Sequence, residues 1–146
     1  MEVFSISPAS AKPLWFLAII TLILTLVLAV LVYTGYSSLN SRVELTSDRL
    51  RLVGDLWGRS IPLESLLVSE ADIINLDRQS PYSLKRRTLG TGLPGYASGW
   101  FRLRNGEKAL VYLTRSDRLV YLPTSLGYTL MLSVEQPEKF IASLQK

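Results

Sequence analysis

Two residue types are missing from this chain of 146 residues: it has no cysteine and no histidine. Without cysteine there are no disulfides, no thiolate metal sites and no cysteine nucleophile. Without histidine there is no Ser-His-Asp triad, no imidazole base and no usual zinc ligand set. Acid–base chemistry would fall to carboxylates or lysine alone. Gly-x-x-x-x-Gly-Lys is absent too, so there is no P-loop. Internal repeats and low-complexity tracts are also lacking. The length leaves room for one domain, and an apolar content of 48% excludes a wholly disordered chain.

What is present is unevenly spread. Leu14 to Tyr33 is a run of twenty residues without a charge, and fourteen of them are Leu, Ile, Val or Phe. At ~1.5 Å per residue a helix of that length spans ~30 Å, the thickness of a hydrocarbon core. The fourteen apolar side chains contribute on the order of −4 to −8 kcal/mol toward insertion. Thr21 and Thr25 can bond back to the carbonyl one turn earlier. Trp15 at one end, and Tyr33 and Tyr36 at the other, suit the two membrane interfaces as anchors. Pro13 suits the first helical turn and Gly35 the end. The run is longer than the apolar core of a signal peptide, and no clean Ala-x-Ala follows it. We therefore expect one retained transmembrane helix at the cell membrane. Lys12 alone precedes it, whereas Arg42, Arg49 and Arg51 follow closely. That asymmetry favours a cytoplasmic C-terminal domain.

The remainder is read as strands. Short apolar or alternating runs occur at Arg42–Leu45, Leu50–Val53, Leu56–Leu63, Ile73–Leu76, Gly99–Leu103, Ala109–Leu113, Leu119–Leu122 and Tyr128–Val134. Asn105-Gly106 is a hairpin signal between two of them. Trp57, Trp100, Phe101, Tyr112, Tyr121 and Tyr128 fall on these patterns as core or cross-strand pairs. The period changes at Pro137, where Phe140, Ile141 and Leu144 mark an amphipathic helix with Glu135 and Glu138 at its start. About seven short strands and a terminal helix describe a partly open barrel with a capped end.

Two patterns invite chemistry. Gly90-x-Gly92-x-x-Gly95 satisfies the dinucleotide fingerprint in letters only. It follows Lys85-Arg86-Arg87 rather than a strand, contains Pro94, and leads into a strand pattern rather than a helix. A glycine-rich loop is the reading we adopt. Lys85-Arg86-Arg87 is the cationic run of a segment, Arg78 to Arg118, that has nine Lys/Arg and two Asp/Glu. It is either a contact for anionic lipid headgroups or a solvated strand face. Glu64, Glu70, Asp72 and Asp77 form an acidic stretch matching no calcium loop. With Tyr82 as the one aromatic interleaved near the basic run, nucleic acid is not an expected partner.

From Gly90 to Leu144 the chain reads G-T-G-L-P-G-Y, G-W-F-R-L-R-N-G-E-K-A-L-V-Y-L-T, V-Y-L-P-T and G-Y-T-L-M-L-S-V-E-Q-P-E-K-F-I-A-S-L. This resembles the bacterial PH-like (pleckstrin homology-like) domain family, in which the domain often follows membrane spans. The resemblance covers about residues 42 to 145. It implies a mainly β fold, a PH-like seven-stranded partly open barrel capped by a C-terminal helix, here preceded by one transmembrane α-helix. It implies no catalytic residue or cofactor. Arg49, Arg51 and Arg59, interleaved with Asp48 and Asp55, do not match the eukaryotic phosphoinositide pattern, so inositol phosphates are not implied.

The expected layout is a tail over 1–12, a transmembrane helix over 13–34, a linker over 35–41 and the PH-like domain over 42–146. The expected role is a membrane-anchored, non-catalytic binding or scaffold protein without cofactor or metal. Its partners would be the membrane, anionic headgroups at Lys85, Arg86 and Arg87, and a protein partner or a second copy. The alternative is an extracytoplasmic sensor or an accessory module of an envelope complex.

Overall fold

The structure is a computed structural model that describes residues 1–76 and 80–146. The chain divides into two compact units, Met1–Tyr36 and Ser37–Lys146.

The first unit carries most of helix α1, Lys12–Asn40. Pro13 lies in its first turn, where a missing N–H costs no hydrogen bond. The Thr21 and Thr25 hydroxyls donate to the carbonyls of Leu17 and Thr21 at 2.9 and 2.8 Å, so neither is left unpaired in an apolar setting. Side chains from Lys12 to Tyr33 are exposed, and the helix is long and apolar enough to cross a membrane. The helix runs six residues past 34, the expected end of the span. No proline interrupts 35–40, and the Thr34 and Ser41 hydroxyls bond back to Val30 and Ser37, each at 2.8 Å. Gly35 is therefore internal to the helix. Of the expected linker, 35–41, residues 35–40 continue the helix.

The second unit is mainly β. Strands β1 (Arg42–Leu45), β2 (Arg49–Val53) and β3 (Ser60–Pro62) form an antiparallel sheet in chain order. Strands β4 (Asp72–Ile74), β5 (Leu84–Leu93), β6 (Tyr96–Leu103), β7 (Lys108–Leu113), β8 (Leu119–Pro123) and β9 (Thr129–Leu132) form a second sheet in the order β4-β8-β9-β7-β6-β5. Its pairs are antiparallel except β7–β9, which is parallel because β9 inserts between β7 and β8. Helix α2, Pro137–Leu144, closes the chain with Pro137 in its first turn and Glu138 beside it. The sheets do not close on each other, in keeping with the partly open PH-like plan.

Two segments differ from the sequence reading. Of Leu56–Leu63, only Ser60–Pro62 is strand. Asp55 accepts a hydrogen bond from its i+2 neighbour, Trp57 N–H, at 2.9 Å, and Gly54 takes φ +126°, so the chain turns there instead. The glycine-rich segment expected as a loop is part of β5, paired with β6 down to Leu93–Tyr96 around the Pro94-Gly95 turn. Gly90 stands opposite Gly99, and a Cβ on Gly99 would lie 2.5 Å from the Gly90 Cα. These two glycines let the backbones approach. The dinucleotide reading fails here because a second strand follows the motif, not a helix N-terminus.

The six-stranded sheet is covered on both faces. On its front, Leu110, Tyr112, Val120, Leu122, Leu130 and Leu132 pack with Leu50, Leu52 and Ile61 of the smaller sheet, and with Phe140, Ile141 and Leu144 of α2. On its back, Phe101, Leu103, Ala109, Val111, Leu119, Tyr121 and Met131 form a second cluster. Alternation along β6 to β9 thus buries both faces, and β8 and β9 are buried at every position.

Candidate functional site

Cross-strand pairing sorts the front face into rows. One row joins Leu89, Trp100 and Leu110, and the next joins Thr91, Ser98 and Tyr112. At the other side of the Trp100 row lies a third, made of Arg86 on β5, Arg102 on β6 and Lys108 on β7. All three are exposed. Paired positions in a sheet bring side chains to ~5 Å at Cβ, so three like charges stand side by side.

Aromatic rings adjoin this row. The Lys108 Nζ lies 4.3 Å from the Trp100 ring centre. Trp100 meets Tyr128 edge-on at 5.0 Å. Arg59, at the start of the segment leading into β3, places its guanidinium carbon 4.9 Å from Trp100 and 5.8 Å from Tyr128. Leu89, next to Trp100 in its row, is 58% exposed. Five other arginines have acidic neighbours: Arg42 and Arg51 meet Glu44, Arg49 meets Asp48, Arg115 meets Asp117, and Arg118 meets Glu138. Among the described residues, Arg59, Arg86, Arg102 and Lys108 are in no ion pair, and neither are Lys12, Lys85, Arg87, Arg104, Lys139 and Lys146.

The Lys85-Arg86-Arg87 run is exposed, but it does not form one patch. Register shifts at Lys85 and Thr88 put Arg86 opposite Arg102 on the front and Arg87 opposite Phe101 on the back. The Arg87 guanidinium extends along its own strand into the space that Gly92 leaves by having no Cβ. What sequence reading missed was Arg59, Arg102 and Lys108. They are distant in the chain, and only the register brings them to Arg86. The bulges and charges also protect β5, the outer strand of its sheet, from edge pairing.

The opposite end of the front face holds a carboxylate with its donors. Asp55 accepts from Tyr112 OH at 2.8 Å and Tyr96 OH at 2.9 Å, besides Trp57 N–H. The Ser41 hydroxyl lies 3.1 Å from Tyr96 OH. Burial, then the Asp55 hydrogen bond, pushes the Tyr112 phenol well above its ordinary range. Burial also raises Tyr96. A cleft of about 430 Å³ opens beside these phenols, lined also by Val43, Leu132, Val134 and Phe140. A second pair sits on the back face, where Tyr121 OH donates to Glu107 at 2.8 Å and Thr129 donates to the same oxygen at 3.2 Å. Burial and that carboxylate push Tyr121 up to about 12. Phenols so raised stay protonated at neutral pH. They donate hydrogen bonds that fasten strands together.

The remaining candidates stand apart. Glu64, Glu70 and Asp72 are exposed, and Asp77 lies outside the described residues. No group of three or more potential metal ligands occurs among the described residues. Trp15, Tyr33 and Tyr36 are exposed on α1. Trp15 and Tyr33 are ~27 Å apart along the axis at the helical rise, about the separation of two bilayer interfaces. Phe101, Tyr112 and Tyr121 are buried as expected of core aromatics, while Trp57, Trp100 and Tyr128 are half-buried against the front core.

Residues 41–146 match the sequence model of a family described as a bacterial PH domain. No curated protein and no solved structure matches the chain.

Proposed function

The chain belongs to the bacterial PH domain family, and from that premise we propose that it is a membrane-anchored, non-catalytic binding module presenting this domain at the membrane surface. One observation carries the reading: the matched domain begins at Ser41, directly after the last residue of a 29-residue apolar helix. Four residues, 37–40, lie between Tyr36 and Ser41; those five steps span at most ~18 Å of chain, so the tether keeps the domain near the bilayer. The carboxylates that reach inside the fold, Asp55 and Glu107, are taken up by tyrosine donors. That supports binding rather than catalysis as the use of the surface. The charge asymmetry around the span favours the cytoplasmic side for the domain.

Topology tests this reading, and the absence of cysteine makes the experiment clean. Ser98 is fully buried and would be shielded on either side of the membrane, so the domain reporter belongs at the exposed Ser116. A membrane-impermeant maleimide applied to intact cells is expected to label Ser5→Cys and leave Ser116→Cys unlabelled until lysis. Labelling of Ser116→Cys in intact cells would reverse the orientation and favour an extracytoplasmic sensor or an accessory role in the envelope. Release of the chain from membranes by alkaline carbonate would remove the anchor altogether.

A further inference from the structure

We infer that the row Arg86–Arg102–Lys108, together with Arg59, Trp100, Tyr128 and Leu89, is a docking surface for the phosphate-bearing headgroups of anionic lipid. The inference rests on the membrane-anchored reading and adds the ligand to it. Three cations occupy directly paired positions on adjacent strands. Strands lie ~4.8 Å apart, so the row presents positive charge over ~10 Å. Like charges placed opposite one another in a sheet oppose folding, and no described carboxylate relieves them. Elsewhere in the domain, Arg42, Arg49, Arg51, Arg115 and Arg118 are each relieved by a carboxylate. Among the described residues, Lys85, Arg87, Arg104, Lys139 and Lys146 are in no ion pair either, but none of them stands in a row of directly paired cations; it is the row that is left available to an external anion.

The neighbouring side chains select the kind of anion. Trp100 and Tyr128 are half-buried rings with cations against them, the pairing of residue types that settles at headgroup level. Leu89 stands exposed beside Trp100, ready to enter the boundary between headgroups and acyl chains. A soluble phosphate would use the cations and leave Leu89 in water. An acidic peptide has no need of an apolar foot beside the charges. A lipid surface uses the cations, the rings and the leucine together. The span already anchors the chain, so these contacts orient the domain on the leaflet and do not recruit it.

The full-length chain can be tested in reconstituted bilayers. Leu89→Cys carries an environment-sensitive fluorophore, and Ser69→Cys, exposed and on a different segment, is the control. In bilayers of phosphatidylcholine with phosphatidylglycerol, the Leu89 probe is expected to shift to the blue and be quenched by nitroxide-labelled lipid. In phosphatidylcholine alone it should stay in water. Each Lys or Arg near an anionic surface is worth roughly a fivefold factor in binding. The double variant Arg86→Glu/Arg102→Glu should therefore lower the ratio of docked to undocked domain by about a hundredfold or more, with circular dichroism unchanged. Arg86→Gln/Arg102→Gln should have a smaller effect in the same direction. Raising salt should release the probe.

Equal signals in the two bilayers, or a signal that survives the double reversal, overturn the inference. So does a response to millimolar inorganic phosphate in neutral bilayers equal to that of phosphatidylglycerol, which would assign the row to a soluble anion. A stronger response to poly-glutamate in neutral bilayers would assign it to an acidic protein. Carbonate extraction separates the two levels. A chain that stays in the bilayer with a silent probe refutes the ligand alone, and a chain that is extracted refutes the anchor.

Discussion

The two ends of the front face handle charge in opposite ways. At one end a single carboxylate, Asp55, is enclosed by Tyr96, Tyr112 and the Trp57 amide. At the other, Arg59 and Lys108 lie against aromatic rings, and Arg86 and Arg102 stand in one row with Lys108, with no described counter-charge. Both ends use the same device, cross-strand registration of residues far apart in sequence. They differ in whether the polar groups are satisfied from within. A satisfied cluster returns its desolvation cost as stability. An unsatisfied one lowers stability and leaves binding capacity. The contrast separates the part of the sheet that holds the fold from the part whose charge is left unmatched.

The contrast can be broken most severely at Asp55. Asp55→Ala removes the acceptor shared by three donors and should cost about 2–4 kcal/mol, lowering Tm by roughly 10–20 °C. Asp55→Asn keeps one carbonyl oxygen and should cost about half as much. If thermal melts show Asp55→Ala within 0.5 kcal/mol of the parent, as is usual for surface changes (roughly that bound), the cluster is not structural. Next in size is Tyr112→Phe, which should cost about 1 kcal/mol by chemical denaturation. It should leave lipid docking intact, because Tyr112 is two rows from the charges.

Alkaline pH sharpens the same point without mutation. An unfolded phenol loses its proton near pH 10, whereas Tyr121 in the fold holds it to about 12 and Tyr96 and Tyr112 are also raised. Over that window the folded state binds more protons than the unfolded one. Stability from these tyrosines is therefore fully present below pH 10 and lost as pH rises toward 12. Denaturant melts at pH 9 and 11 should show the drop, and Tyr121→Phe should reduce it. The smallest effect has the opposite sign. Arg102→Gln relieves the central charge of the row and should raise stability by a few tenths of a kcal/mol while weakening docking. A variant that lost both would mean the row is part of the structural scaffold.

Much of the fold was legible because local chemistry decided it. Gly106, with φ +91°, ends the three-residue loop Arg104-Asn105-Gly106, and Leu103 N–H reaches the Glu107 carbonyl at 2.9 Å. Pro137 and the apolar spacing of Phe140, Ile141 and Leu144 marked α2. Strand β5 was not legible, because glycines that read as a loop are there for close backbone approach, and closeness is a property of the pair Gly90–Gly99. The site was legible in only one of its cations. Lys85, Arg86 and Arg87 form one run in the chain, yet strand alternation divides Arg86 from Arg87 between faces, and the register shift at Lys85 sets Arg86 beside residues 16 and 22 positions away. Arg59 comes from the segment just before β3 of the other sheet, and nothing in its own neighbourhood of sequence points to Trp100.

Strand β9 has a consequence for the order of assembly. It is the last strand made and occupies the interior of its sheet, between β8 and β7. Until Thr129–Leu132 has been synthesised, the earlier strands can only form two separate groups, β4 with β8 and β5 with β6 and β7. The open flank of β7 stays exposed meanwhile, with Leu110 and Val111 awaiting neighbours. The two groups are joined only when β9 is added between them, so a growing chain keeps its sheet divided until that last strand is made.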